Sequence, residues 1–94
     1  MLTCVGGELM PYTIKYLKNI KGLRIKIIGT DNDTNAVGKY FCDKFYNLPK
    51  GSHKSYLARC TEIIIKENIN LVIPTSDEEA LALSKKKSFF REKN

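Results

Sequence analysis

The segment Cys4-Val5-Gly6-Gly7-Glu8-Leu9-Met10-Pro11 has the composition of a loop that could hold an anionic ligand. It follows a short apolar run and precedes a helical pattern, so its backbone N–H groups and the helix dipole could point at a phosphate. A dinucleotide loop needs glycine at three spaced positions, and around Gly6 the flanking positions hold Cys4 and Leu9. The pattern therefore favours a tight structural turn, with ligand contact through Gly6 and Gly7 as the alternative.

Asp31 stands 25 positions after Gly6, at the predicted end of the second strand. A Rossmann fold places its ribose-binding acid there, which would make NAD the cofactor. Asp31 and Asp33 are also common turn residues, because a short carboxylate can accept a hydrogen bond from the backbone N–H two positions on. The turn interpretation is favoured. Two carboxylates could also accept a metal, but no further ligand is visible and we predict no metal site.

Acidic residues follow the predicted first and fourth strands, and the carboxyl edge of an open parallel sheet is where such sheets bind ligands. The run from Ser76 to Glu79 also has the sequence of a capping box, in which the serine hydroxyl accepts from the backbone of Glu79. Helix capping is therefore favoured for Glu78 and Glu79, with substrate contact as the alternative. No catalytic residue is predicted. The candidate substrate-binding residues are Gly6, Gly7, Glu8, Thr75, Ser76, Asp77, Glu78 and Glu79.

The composition of the chain limits the classes of partner that it is expected to bind. The formal net charge of +6 reflects 13 lysines and three arginines against ten acidic residues, and the basic residues are scattered from Lys15 to Lys93, which does not indicate a nucleic-acid surface. Cys4, Cys42 and Cys60 fit neither a disulfide framework nor a metal motif, and His53 lies alone in a polar loop. No apolar run approaches the roughly 20 residues that span a bilayer. We therefore expect a cytoplasmic protein without nucleic-acid or membrane partners.

Short β-type runs alternate with helical periods, as in βαβ units with a mostly parallel sheet. This pattern predicts one Rossmann-like α/β domain over residues 1–94, with three layers, helices on both faces and about four strands in the order 3-2-1-4. Strands are expected at 1–4, 24–29, 44–48 and 71–74, and helices at 11–21, 35–41, 55–67 and from 76 towards Phe90.

Four pieces of the chain, in their joint order, carry a family resemblance: VGGELMP, IIGTDND, KFYNLPK and NLVIPTSDEE. Together they resemble the N-terminal, pre-ATP-grasp domain of ATP-grasp enzymes similar to the carbamoyl phosphate synthase large subunit. The resemblance spans residues 3–90. Members typically read TGVGG where this chain has Thr3-Cys4-Val5-Gly6-Gly7, and LGP where it has Leu9-Met10-Pro11. Both departures remove a glycine.

The resemblance implies a domain that borders two others, which clamp ATP and Mg²⁺ and activate a carboxylate as an acyl phosphate for attack by an amine or ammonia. The chain would then be a fragment that ends before the ATP-grasp domain, contributes to the substrate side or a domain interface, and is inactive and cofactor-free alone. The alternative is a stand-alone small-ligand or dinucleotide-binding module. A fragment cut from its neighbours would expose apolar surface, with Phe89 and Phe90 as suspects, and the stand-alone module could self-associate through its exposed sheet edge, so a homo-oligomer is possible through exposed surfaces.

Overall fold

The computed structural model describes residues 1–85 of the chain. Phe89, Phe90 and the predicted continuation of the last helix lie outside the described residues. The helices are α1 (Met10–Lys18), α2 (Tyr56–Lys66), α3 (Asp77–Ser84) and a 3₁₀ helix (Val37–Tyr40); the strands are β1 (Ile28–Asp31) and β2 (Lys44–Asn47). None of the described helices is both long and apolar enough to span a bilayer.

The sheet consists of β1 and β2, which run parallel. β1 is buried along its whole length, whereas both ends of β2 are exposed. Leu2 forms single parallel bridges to Gly29 on one side and to Ile73 on the other. The first segment of the chain therefore runs between β1 and the segment around Ile73.

The predicted four-stranded sheet is formed only in part, because the first and fourth predicted strands contribute one bridging residue each. The first segment stops being extended at Cys4, where φ is 54°. In the fourth segment Ile73 is followed by Pro74, which has no N–H with which to continue a ladder. Both segments are therefore too short to form more than a bridge.

The second predicted strand, 24–29, begins four residues and ends two residues nearer the amino terminus than β1. Thr30 and Asp31, which were predicted in the turn, pair with Tyr46 and Asn47. At the other end, the Asp43 carboxylate accepts a hydrogen bond of 2.7 Å from the backbone N–H of Ile27. The Ile27 N–H is thus bonded to a side chain, whereas its carbonyl accepts from the backbone N–H of Lys44 at 3.3 Å, and the paired residues begin at Ile28.

Helix α1 buries Met10 and Ile14 as its spacing predicts, but it ends earlier than the glycine at position 22 suggests. Asn19 ends it, because the Asn19 side-chain amide donates to the carbonyl of Lys15 at 2.9 Å. The helix predicted at 35–41 is a 3₁₀ helix, which lies against the first loop where the Gly38 N–H donates to the carbonyl of Val5 at 3.0 Å.

Helix α2 begins and ends within one residue of its prediction. Its end is a Schellman motif: Asn68 adopts a left-handed φ of 53°, and the Ile69 N–H donates to the carbonyl of Ile64 at 3.0 Å. Tyr56, at the start of the helix, is completely buried.

Two apolar cores lie on opposite faces of the sheet, because the neighbouring residues Ile27 and Ile28 belong to different clusters and adjacent residues of an extended chain point to opposite sides. The α2 and α3 core contains Met1, Ile28, Leu48, Tyr56, Cys60, Ile63, Ile64, Ile69, Ala82 and Leu83. The α1 core contains Leu2, Val5, Met10, Ile14, Ile27 and Ala36. Helices α2 and α3 therefore contribute to one core and α1 to the other.

Candidate functional site

A cleft of about 230 Å³ opens at the carboxyl edge of the sheet. Its lining comes from the ends of all the sheet segments: Cys4 follows the first, Asp31 ends β1, Pro49 follows β2, and Ser76 follows the segment around Ile73. Parallel α/β sheets bind ligands in this position. The carboxyl-edge cleft is lined by Cys4, Asp31, Asn32, Pro49, Lys50, Gly51, Ser76, Glu78 and Glu79.

The Asp31 carboxylate fastens the first loop to β1. One oxygen accepts a hydrogen bond of 2.8 Å from the backbone N–H of Gly6, and the other accepts one of 2.9 Å from the N–H of Asp33. A Cβ at Gly6 would lie 2.9 Å from an oxygen of the same carboxylate, so a larger residue would displace the group that holds the loop. These contacts favour the turn interpretation of Asp31, since the Gly6 N–H that would serve an anionic ligand is already bonded.

Glu79 is a buried carboxylate in the floor of the cleft. Its two oxygens accept from the Tyr56 hydroxyl at 2.7 Å and from the Ser76 hydroxyl at 2.9 Å. The Ser76 hydroxyl also accepts from the Glu79 N–H at 3.3 Å, which confirms the predicted cap of α3. The carboxylate of Glu79 reaches back to the serine hydroxyl, and the unforeseen partner is Tyr56 from α2.

Gly51 lets the loop after β2 approach the start of α3. A Cβ at this position would lie 2.8 Å from the backbone carbon of Glu78 and from the backbone nitrogen of Glu79. Backbone atoms cannot move aside as the end of a side chain can, so any larger residue would push the loop away. The close approach brings Lys50 into the lining of the carboxyl-edge cleft, together with Glu78.

Glu78 and Lys50 are the charged groups of the cleft that are available to a ligand. Both are exposed, and within residues 1–85 neither side chain forms a hydrogen bond or salt bridge. Asp31 and Glu79, in contrast, have both carboxylate oxygens occupied by donors from the domain itself. The cleft can therefore pair with a cationic group through Glu78 and with an anionic group through Lys50.

Cys4 lines the cleft, but its thiol is not suited to act as a nucleophile. The pKa of its thiol is raised, first by burial and then by the negative charges of Asp31 and Glu79. A thiol with a raised pKa is protonated near neutral pH and reacts slowly. Within residues 1–85, no three histidine, cysteine or acidic side chains converge in an arrangement that could hold a metal ion.

The structure separates the predicted substrate-binding residues into two groups. Ser76, Glu78 and Glu79 line the cleft, whereas the lining does not include Gly6, Gly7, Glu8, Thr75 or Asp77. Thr75 has a structural role, because its hydroxyl donates to the carbonyl of Thr3 at 2.6 Å and its N–H donates to the Thr3 hydroxyl at 3.0 Å.

Sequence reasoning missed Asn32, Pro49, Lys50 and Gly51 as cleft residues. The available signal was the Pro49-Lys50-Gly51 run directly after a strand, since a glycine after a strand end often marks a close backbone approach. A second cleft of about 430 Å³ lies at the amino ends of the strands, where Ile25, Ile27 and Leu71 make it mainly apolar. It is at the edge opposite to the one where parallel sheets bind ligands.

These features define an α/β domain with a parallel sheet and a ligand-sized cleft at its carboxyl edge. The family model of the PylC-like, N-terminal domain matches residues 2–94. The chain belongs to this family, which is the pre-ATP-grasp domain of ATP-grasp ligases. No individual curated protein matches the chain. The resemblance drawn from the sequence is confirmed at the level of the pre-ATP-grasp domain.

Proposed function

We propose that this chain is the N-terminal domain of an ATP-grasp carboxylate-amine (or ammonia) ligase that resembles the carbamoyl phosphate synthase large subunit. The observation that carries the proposal is the carboxyl-edge cleft, with Glu78 and Lys50 free to meet a ligand, in a domain of the PylC-like N-terminal family. The domain shapes the substrate side or a domain interface and is not catalytic alone. ATP and Mg²⁺ bind to the other domains of this cytoplasmic enzyme.

The chemistry of the cleft suits the two substrates of such a ligase. A carboxylate-amine ligase must hold a negatively charged acid and a positively charged or neutral amine next to each other. Glu78 can accept hydrogen bonds from an ammonium group, and Lys50 can donate to a carboxylate or acyl phosphate. Both side chains lie at the rim of the cleft, where a neighbouring domain could close over a bound substrate.

The four-stranded Rossmann-like order 3-2-1-4 belongs to the same proposal. It is supported by the two bridges of Leu2, which lie between β1 and Ile73. The dinucleotide-binding alternative is less well supported, because the Asp31 carboxylate faces the Gly6 N–H and would repel a phosphate at that loop.

Titration of the isotope-labelled chain, followed by its amide NMR spectrum, tests the proposal. An exposed ion pair is worth about 1 kcal/mol or less, so with methylammonium and with acetate as probes at up to about 0.5 M we expect weak binding, with dissociation constants on the order of 0.1–1 M, that shifts the amides around Lys50, Gly51 and Glu78. Glu78→Gln should remove the response to methylammonium. Glu62→Gln, an equally conservative change at an exposed position of α2, is the matched control and should leave it intact.

Calorimetry with Mg²⁺-ATP and with NAD completes the test. We expect neither nucleotide to bind the chain at micromolar concentration. Saturable micromolar binding of NAD would instead establish the dinucleotide-binding module. The genomic sequence provides a further check, since an open frame that continues after codon 94 into a lysine-bearing nucleotide clamp is expected for a ligase.

A further inference from the structure

Helix α1 carries apolar side chains on two opposite faces. Met10 and Ile14 face the core, while Leu9, Tyr12 and Tyr16 are each 72% exposed. The latter three residues are spaced by three and four positions, so they form one outward stripe. Exposed Lys15 and Lys18 lie between these faces, and a helix with apolar residues on two faces can be covered on both. We call this set of three residues the α1 stripe.

We propose that the α1 stripe is a self-association surface, on which α1 of a second copy of this chain packs antiparallel. Two-fold symmetric dimers are the commonest oligomers, and their interfaces must be self-complementary. The two tyrosines of the stripe meet this requirement, because Tyr12 and Tyr16 lie at equal distances from the middle position of the helix, Ile14. In an antiparallel pair each Tyr12 therefore meets Tyr16 of the other copy. Tyrosine is among the residues that contribute most to protein interfaces.

The charges that flank the stripe favour the same arrangement. Glu8 lies six positions before Ile14, and Lys21 lies seven positions after it, in the turn that follows α1. Both side chains are exposed, and within residues 1–85 neither forms a salt bridge. An antiparallel pair places Glu8 of each copy next to Lys21 of the other. A parallel pair would bring like charges together at both ends.

Two features keep this dimer weak. Lys15 flanks the stripe near the symmetry axis and would lie close to its own counterpart. One helix of nine residues also covers much less than the roughly 800 Å² per partner of a standard stable interface. We therefore expect a dissociation constant of about 0.1 to 1 mM, within the transient class of interfaces.

Sedimentation equilibrium of the 94-residue chain from about 20 μM to 2 mM tests this inference. We expect a reversible monomer–dimer equilibrium whose dissociation constant rises at least about tenfold in the Tyr12→Ala/Tyr16→Ala variant. The matched control is Ile65→Ala/Leu81→Ala, which truncates two side chains of similar exposure, 58% and 64%, on α2 and α3. The control should dimerise like the unchanged chain.

A charge swap identifies the antiparallel arrangement even if the tyrosine variant folds poorly. Glu8→Lys and Lys21→Glu should each raise the dissociation constant about three- to tenfold. The double variant Glu8→Lys/Lys21→Glu should restore it, because each copy again presents opposite charges to the other.

A monomer at 2 mM would overturn the proposal, as would a dimer that tolerates loss of both tyrosines or a double charge variant that is no better than the single ones. Exposed tyrosines beside lysines could also stack on single-stranded nucleic acid. If a fluorescent oligothymidylate binds the monomer and binding is lost in the Tyr12→Ala/Tyr16→Ala variant, the stripe is a nucleic-acid-binding surface and the dimer proposal is wrong.

Discussion

Cys4 has a backbone conformation in which a glycine should be better than an alanine. Its φ of 54° lies in the left-handed region, where the side chain of an L-residue crowds the following carbonyl. Holding a non-glycine residue there costs about 1–2 kcal/mol. The ATP-grasp enzymes that the sequence resembles typically have glycine here. The substitution pair Cys4→Ala and Cys4→Gly tests whether the left-handed backbone conformation is the reason why those enzymes have glycine at this position.

The comparison of the two variants isolates the backbone effect. Both lose the thiol, so contacts of the sulfur cancel. Glycine relieves the left-handed cost of about 1–2 kcal/mol but gives the unfolded chain extra freedom worth about 0.5–1 kcal/mol. We therefore expect Cys4→Gly to be more stable to unfolding than Cys4→Ala by about 0.5–1 kcal/mol. At an ordinary position the sign would be the opposite.

Urea denaturation followed by circular dichroism measures the difference, because a change in midpoint at constant slope reports stability directly. The matched control is Ala58→Gly at an exposed position within α2, which should cost about 1 kcal/mol as alanine-to-glycine changes in helices do. If glycine is less stable than alanine at position 4 by a similar amount, Cys4 does not adopt the left-handed conformation and the reasoning fails.

Three further predictions concern the cleft and the core beneath it. Tyr56→Phe should lower the free energy of unfolding by about 1.5–3 kcal/mol in urea titrations, because it removes a buried hydrogen bond to the Glu79 carboxylate; an unchanged midpoint would contradict the contact. Gly51→Ala should cost about 1–3 kcal/mol and broaden the amide signals of the cleft, because its Cβ would meet the backbone of Glu78; a neutral effect would show that the loop lies further away. Burial raises the pKa of the Cys60 thiol to about 11 in the folded chain. The contribution of this shift to the free energy of unfolding is therefore complete below the usual thiol pKa and is lost as the pH rises towards 11. Between pH 8.5 and 10 the unchanged chain should lose about 1–1.5 kcal/mol more than Cys60→Ser, and parallel pH profiles of the two would refute this.

Local patterns were sufficient for most helices. The spacing of Met10 and Ile14 located the buried face of α1, and Asn68 located the end of α2. The cap of α3 was predictable from Ser76 and Glu79 for the same reason: these contacts join residues a few positions apart. The family was also recognisable from four short motifs in order, and residues 2–94 match the PylC-like N-terminal family.

The strands were harder to predict, because pairing depends on residues that are distant in sequence. The runs at 1–4 and 71–74 have strand composition but form only the bridges of Leu2 and Ile73. Conversely, Thr30 and Asp31 resemble a turn, yet they pair with β2. Composition reports what a segment can do, whereas the partner that lies beside it decides which residues are in the sheet.

The glycine-rich first loop shows most clearly which features follow from the sequence and which depend on the tertiary structure. Its sequence determined that a tight turn joins a strand to α1, and the absence of glycine at position 4 argued against a dinucleotide site. Only the tertiary structure decided that the Asp31 carboxylate accepts the hydrogen bond from the Gly6 N–H. It also decided that Glu78 and Lys50 are the charged cleft residues without a partner among the described residues. A turn is set by the dihedral preferences of neighbouring residues, but a site is set by contacts between β1, the loop after β2 and α3, which meet only once the chain has folded.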